Sequence, residues 1–127
     1  MERVIKFKAK SIIENKWLYG SLVKSPLGTY IEWYEDSICN REEVKPFTVC
    51  QFTGMKDKNG VEIWEHDILA YSSLKGEVVF SKSSFCFRRE DNGFDYTFSI
   101  LCIMNDEICY SHIIGNKFDG KKNKEEK

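Results

Sequence analysis

The amino-acid sequence predicts a mainly β fold, or at most a β-rich α+β fold, on three observations. Aromatic residues make up 14% of the chain, and large rings fit a pleated sheet better than a helix surface. Apolar and polar residues alternate at the start of the chain, which is the period-two pattern of a half-buried strand. Short apolar stretches then recur between turn-forming residues, at the spacing typical of a small barrel or sandwich.

Length and composition predict one globular unit in two parts. The chain has 127 residues, of which 42% are hydrophobic and 31% charged, the balance of an ordinary folded domain. We expect an N-terminal β-strand section with an acidic connection in 1–46, and a barrel-like core in 47–119. The charged stretch 120–127 has no apolar anchors, and we expect it to be disordered.

The first part begins with the alternating strand, in which apolar side chains point away from Lys6, Lys8 and Lys10. Further strands are expected at 17–23 and 29–34, followed by an acidic loop at 35–46. In the second part, Asn59-Gly60 predicts a tight turn because both residue types tolerate positive φ. A strand or a strand-like turn is expected there at 48–52, and strands at 68–71, 76–80, 85–87, 98–104 and 108–114. The apolar stretch 96–104 fits a buried helix equally well.

Charge is balanced overall but divided along the chain. The net charge is −1, whereas a nucleic-acid-binding protein usually has a clear basic excess. The segment 1–24 is rich in lysine and 32–43 is rich in acidic residues. Opposite charges on one small protein favour self-association or a charged protein partner, although both segments could simply be solvated faces.

Cysteine usage and hydropathy predict a reduced, cytoplasmic protein. The chain contains five cysteines, an odd number, and no CxxC motif. Four of them, Cys50, Cys86, Cys102 and Cys109, lie among apolar residues, where a free thiol is an ordinary core group. No targeting segment and no stretch long enough to span a membrane is visible.

Catalytic-type residues cluster only at Glu65-His66-Asp67. A metal site formed by His66, His112 and Asp67 is the candidate, but such a site needs its ligands to converge, usually from His at i and i+4 or from separate strands. Cys109 with His112 has no visible third member of a catalytic triad, and no phosphate-binding loop is present. We therefore expect no enzyme activity, no cofactor and no metal.

Three segments resemble the YopX family of phage and prophage proteins. The start resembles the family in Ile5 to Ala9 followed by Trp17 to Gly20, the middle in Val49 to Ile68, and the end in Ile113 to Asp119. The resemblance implies a β-dominated fold with an SH3-like barrel and oligomerisation, and it implies no established activity. Cys50 and His66 stand where the family usually has glycine, and Lys117 stands where it has an apolar residue. If the family glycine at 66 requires positive φ, His66 must adopt that geometry.

The motif residues are expected to have structural roles. They are Gly54, Asp57, Asn59, Gly60, Glu65, Asp67, Gly115 and Asn116. Asp57 and Asn59 should shape a turn, with Gly60 in the left-handed region and Asp67 accepting backbone hydrogen bonds. The predicted core includes Trp17, Phe52, Ile68, Val78 and Ile114.

These observations favour a non-enzymatic binding or assembly module that acts as a homo-oligomer, with a phage or host protein as a further partner. The candidate interaction surface comprises Lys6, Lys8, Lys10 and Trp33, and the lysine strand is expected to pair, as an edge, with the acidic 32–43 segment of a neighbour. The alternative is a nucleic-acid-associated protein in which Trp17 and Tyr19 stack on bases beside the lysines. No contact with a membrane is expected.

Overall fold

In the computed structural model, residues 4–71, 73–97 and 111–119 are described, and they are mainly β. The strands are β1 (Phe7–Lys10), β2 (Trp17–Ser25), β3 (Gly28–Glu35), β4 (Ile38–Glu43), β5 (Cys50–Lys56), β6 (Glu62–Trp64), β7 (Asp67–Tyr71), β8 (Leu74–Ser81), β9 (Ser84–Arg89), β10 (Asp95–Thr97) and β11 (His112–Asn116). A single 3-10 turn, Pro46–Thr48, precedes β5. The expectations for 98–104 and 120–127 lie outside the described residues.

The chain divides into two units, 1–52 and 53–127, whereas the sequence suggested a division after residue 46. In the first unit the strand order is β4-β3-β2-β1-β5, and the later residues of β5 lie beside β6 in the second. The second unit also contains an antiparallel sheet in the order β10-β9-β8-β7-β11. Neither sheet closes, so the expected SH3-like barrel is not confirmed.

The core of the first unit lies on one face of its sheet. Ala9, Ile31 and Val44 are fully buried there and Leu18 nearly so. Strand alternation explains this set, because residues that share a face recur at every second position. Trp33, on the same face of β3, packs against this cluster.

Strand β4 corrects the expectation of a loop at 35–46. It pairs with β3 over six residues, from Tyr30 opposite Glu43 to Glu35 opposite Ile38. Its polar composition is that of a strand at the end of a sheet, where most side chains remain exposed. Beyond its end, Ser11 and Val44 form a single bridge.

In the second unit, Ile63, Leu69, Val78 and Phe87 form the core. Among the predicted core residues, burial of Phe52 and Val78 is confirmed. Trp17 and Ile68 are only partly buried.

The prediction for Ile114 is wrong, because its side chain is 48% exposed. The neighbouring Ile113 packs against the core instead. The register of β11 against β7 also shifts between Ile113 and Gly115. A bulge of this kind changes which side chains face inward.

Candidate functional site

The predicted lysine surface is an arrangement of ammonium groups and aromatic rings. Lys8 pairs with Tyr19 and Lys10 with Trp17 across β1 and β2. The Nζ atoms of Lys8 and Lys10 lie 4.4 and 4.9 Å from the ring centroid of Trp17. Lys6 Nζ lies 4.9 Å from the ring of Phe52. These distances are typical of cation–π contacts.

The lysine strand is an interior strand, which corrects the expected mode of assembly. β1 pairs with β2 on one side and with β5 on the other, so it offers no open edge. Lys8 and Lys10 are also only 8% and 7% exposed. Their aliphatic stems are thus covered, and Lys6 is the most accessible of the three. The prediction that this strand pairs with the acidic segment of a neighbour is therefore wrong.

Within the residues that the structure describes, no strand pairs with the outer side of β4, which is therefore the open edge of the first unit. The bond from Val44 N–H to Thr29 O shows that even-numbered residues of β4 direct their backbone groups towards β3. Because bonding direction alternates along an antiparallel strand, Cys39 and Arg41 direct theirs outward. The carbonyl of Glu43 also points outward, but it accepts a bond from Ile12 N–H.

Apolar side chains surround this edge. Ile38 and Tyr34 are 65% and 69% exposed, and Cys39 is an exposed free thiol. Arg41 lies against Glu32 at 2.8 Å and over the ring of Tyr30. The sequence contained the signal for this surface, since Ile38 and Cys39 stand among acidic residues, but an isolated apolar pair does not reveal a strand.

Asp57 organises the turn predicted at Asn59-Gly60. Its Oδ1 accepts hydrogen bonds from the backbone N–H groups of Asn59 and Val61 at 2.8 and 2.9 Å. Gly60 has φ of 80°, whereas Asn59 has no positive φ, so only one residue of the pair is left-handed. Asp57 Oδ2 accepts a further bond from Ile113 N–H at 3.1 Å.

The pKa of Asp57 is lowered from its usual value by this environment. Burial of the carboxylate acts in the opposite direction and is the largest single influence. The N–H groups of Val61, Ile113 and Asn59, with a smaller contribution from His112, together outweigh it. The turn therefore holds Asp57 in its ionised form.

Gly54 and His66 both have positive φ, at 89° and 74°. The condition set by the resemblance is thus met, because His66 occupies the left-handed region that glycine adopts most readily. The Nδ1 of His66 lies 2.9 Å from Glu77 Oε2, and its Nε2 lies 3.8 Å from Glu65 Oε2. The imidazole also meets the ring of Phe118 edge-on, with centroids 5.2 Å apart.

Asp67 is the buried centre of the second motif turn, with 3% of its surface exposed. Its Oδ2 accepts a bond from Trp64 N–H at 2.7 Å, and its Oδ1 accepts one from Asn116 Nδ2 at 2.9 Å. Asn116 Oδ1 in turn accepts a bond from Phe118 N–H. Gly115 follows the register shift of β11 and lies opposite Ile68. These contacts are consistent with a structural role for the motif, which stays a prediction.

A groove of about 290 Å³ is lined by residues of β7, β8 and β9 and of the turn that follows β9. Its basic walls are Arg88 and Arg89. Arg88 is paired with Asp95, and Arg89 with Asp91. Carboxylates therefore already neutralise both guanidinium groups, which does not favour an anion site.

No group of three or more metal-ligating side chains occurs among the residues described. His66 and Asp67 have separate partners, and the structure does not describe Cys109 or Cys102. Cys39 and Cys86 are free thiols, and Cys50 and Cys86 are buried. Within the same residues, the helical segments are too short or too polar to cross a membrane.

Comparisons with known proteins bear on the fold and the family of the chain. The crystal structure of protein EF1440 from Enterococcus faecalis superposes with a TM-score of 0.59 at 22% identity, covering 96% of this chain and 99% of that one. This similarity supports the fold alone. No curated protein sequence matches the chain significantly. The YopX protein family model matches residues 6–121, which include both motif turns, and the chain therefore belongs to the YopX family.

Proposed function

We propose that this chain is a non-enzymatic binding or assembly module that acts as a homo-oligomer through strand β4. The observation that carries the proposal is the open edge of β4, where the backbone groups of Cys39 and Arg41 point outward. An unpaired strand edge is a ready template for another chain. Exposed Ile38 and Tyr34 beside it add apolar surface that pairing would cover.

The other end strands are less suitable for pairing. Over the residues described, β6 and β10 have three residues each, and β11 contains a register shift. Short or bulged strands are common means of preventing edge-to-edge association. β4 has six residues in continuous register and contains neither proline nor lysine.

The nucleic-acid-associated role receives less support from the geometry. Lys8 and Lys10 are largely buried, and Trp17 lies against both ammonium groups. Ammonium groups over the ring occupy part of the surface on which a base would stack. A phage or host protein as a further partner is part of the proposal and would bind elsewhere than at β1.

Light scattering of the purified chain tests the proposal. We expect a particle of a multiple of 14.9 kDa at micromolar concentration, in low and in high salt. Arg41→Pro removes one outward N–H and should reduce the mass to that of a monomer. The matched variant Arg41→Ala keeps the N–H and should remain assembled. A monomer in the parent protein at both salt concentrations would refute the proposal.

A further inference from the structure

The bonding pattern of β4 restricts how two copies could pair along it. The open stretch of β4 is the part before Glu43, whose carbonyl is already bonded to Ile12. On this stretch, only Cys39 and Arg41 direct their backbone N–H and C=O groups outward. In an antiparallel pair, two residues exchange both hydrogen bonds only if both direct their groups towards the partner strand. Cys39 and Arg41 must therefore face Cys39 or Arg41 of the second copy.

Three antiparallel registers satisfy this condition. One places Cys39 opposite Cys39, and Arg41 would then face Ser37, which has φ of 66° and is not extended. A second places Arg41 opposite Arg41, so that like charges face each other. That register also directs Glu43 at Cys39, although the carbonyl of Glu43 is already bonded to Ile12.

The third register places Cys39 opposite Arg41 and therefore Asn40 opposite Asn40. In each Cys39–Arg41 pair, the two residues donate and accept one backbone hydrogen bond each. Every outward N–H and C=O group of Cys39 and Arg41 therefore has a partner. Ile38 then faces Glu42, so no like charges are directly opposed. A parallel arrangement in register would instead place Arg41 beside Arg41 and Glu42 beside Glu42.

We infer that two copies of this chain join their β4 strands antiparallel about a two-fold axis that passes between their Asn40 residues. The inference rests on the proposed function and specifies its partner and register. The contact is isologous, so it closes as a dimer and does not propagate into a ring. It also gives Trp33 a position near the axis, because Trp33 is the β3 neighbour of Asn40.

The side chains at the axis fit this arrangement. Asn40 carries both a donor and an acceptor, so two copies can bond to each other when they face across a two-fold axis. Its Nδ2 lies 3.2 Å from Ile38 O, which leaves the amide oxygen to accept. Asn40 forms a non-hydrogen-bonded pair with its copy, and such pairs have Cα atoms about 4.5 Å apart.

Three proteins, each with one cysteine on β4 at position 39, 40 or 41, distinguish the registers. The proteins are the parent chain with Cys39, Cys39→Ser with Asn40→Cys, and Cys39→Ser with Arg41→Cys. Each is oxidised with copper phenanthroline, and the disulfides are mapped by peptide mass spectrometry. The separation at the axis suits a disulfide, so we expect the Asn40→Cys protein to form a 40–40 crosslink roughly tenfold faster than either of the others.

Each outcome has a definite meaning. A crosslink at 39–39 or at 41–41 in preference to 40–40 would overturn the inferred register, while the proposed function would stand. A dimer in light scattering without any of the three crosslinks would place the interface away from β4. Cys39→Ser alone, which lacks a thiol on β4, controls for disulfides formed by the remaining cysteines.

Discussion

The carboxylate of Asp67 and the side-chain amide of Asn116 share a buried hydrogen bond of 2.9 Å, although 49 positions separate them in the chain. Asp67 closes the turn before β7, and Asn116 ends β11, which pairs with β7. A buried side-chain hydrogen bond therefore joins β7 and β11 at one end of their pairing. A buried carboxylate oxygen that lost this hydrogen bond would cost about 1–3 kcal/mol of stability.

Asp67→Asn should destabilise the second unit by about 1.5–3 kcal/mol, because hydrogen bonds to a charged group have that value. A carboxamide has one acceptor oxygen, whereas Asp67 accepts bonds with both oxygens. Urea unfolding measures the change in free energy. Asp36→Asn, in an exposed turn, is the matched control and should stay within about 0.5 kcal/mol of the parent. Equal stability of the two variants would contradict the structural role of Asp67.

A double-mutant cycle separates the bond to Asn116 from the rest of this effect. Asp67→Asn and Asn116→Ala, measured singly and together, should show a coupling of about 0.5–3 kcal/mol, as residues in direct contact do. Additive effects would mean that the 2.9 Å bond contributes nothing to stability.

Gly60 should tolerate asparagine better than valine. A Cβ at Gly60 would meet no atom within 4 Å, so the cost of substitution arises from φ of 80° alone. Asparagine adopts this region more readily than a β-branched residue does. We expect Gly60→Val to be less stable than Gly60→Asn by about 1 kcal/mol in chemical denaturation.

Substitution of Gly76 is limited by space, whereas substitution of Gly60 is limited by backbone conformation. A Cβ there would lie 2.4 Å from the carbonyl oxygen of Arg88 and 2.7 Å from the ring of Phe87. Asparagine should therefore fail at Gly76 while it is tolerated at Gly60. Equal tolerance at both positions would remove the conformational explanation for Gly60.

His66→Gly should be more stable than His66→Ala by about 1 kcal/mol, the usual difference between these residues at a left-handed position. Both variants lose the contacts with Glu77 and Phe118, so their difference reports φ of 74°. Thermal unfolding of the pair measures it. At Glu65, which has no positive φ, the order should reverse, with alanine at least as stable as glycine.

Stability should fall in acid through Asp57. The pKa of its carboxyl group is lower in the folded chain than its ordinary value of 3.8, so protonation favours unfolding. The stabilisation is complete above the unfolded pKa and is lost as the pH decreases towards the folded pKa. The difference in unfolding free energy between the parent and Asp57→Asn should therefore shrink as the pH is lowered below about 4. A difference independent of pH would contradict the assigned hydrogen bonds.

Local rules predicted where the turns lie, although Asn59 lacks the positive φ expected of it. Asp57 and Gly60 obey the backbone preferences of their residue types, and these preferences depend on a few adjacent residues. The positive φ of His66 was anticipated only as a consequence of the family resemblance. Nothing in the residue type itself indicates it.

Exposure and strand position were harder to predict, because distant segments determine them. Lys8 and Lys10 alternate as solvent-facing residues do, yet β5 pairs beside them and their side chains are covered. The acidic composition of 38–43 concealed β4, since an end strand needs few apolar residues. Ile114 became exposed through a register shift that no neighbouring residue specifies.

The two long-range carboxylate bonds have a consequence for synthesis on the ribosome. Asp57 and Asp67 emerge early, but their partners Ile113 and Asn116 are translated about fifty residues later. The strand pairs of the first unit, by contrast, all join residues within 1–52. The first unit can thus fold while the rest is being made. A nascent chain stalled before residue 111 would therefore contain every strand pair of the first unit, while Asp57 and Asp67 still lacked these two partners.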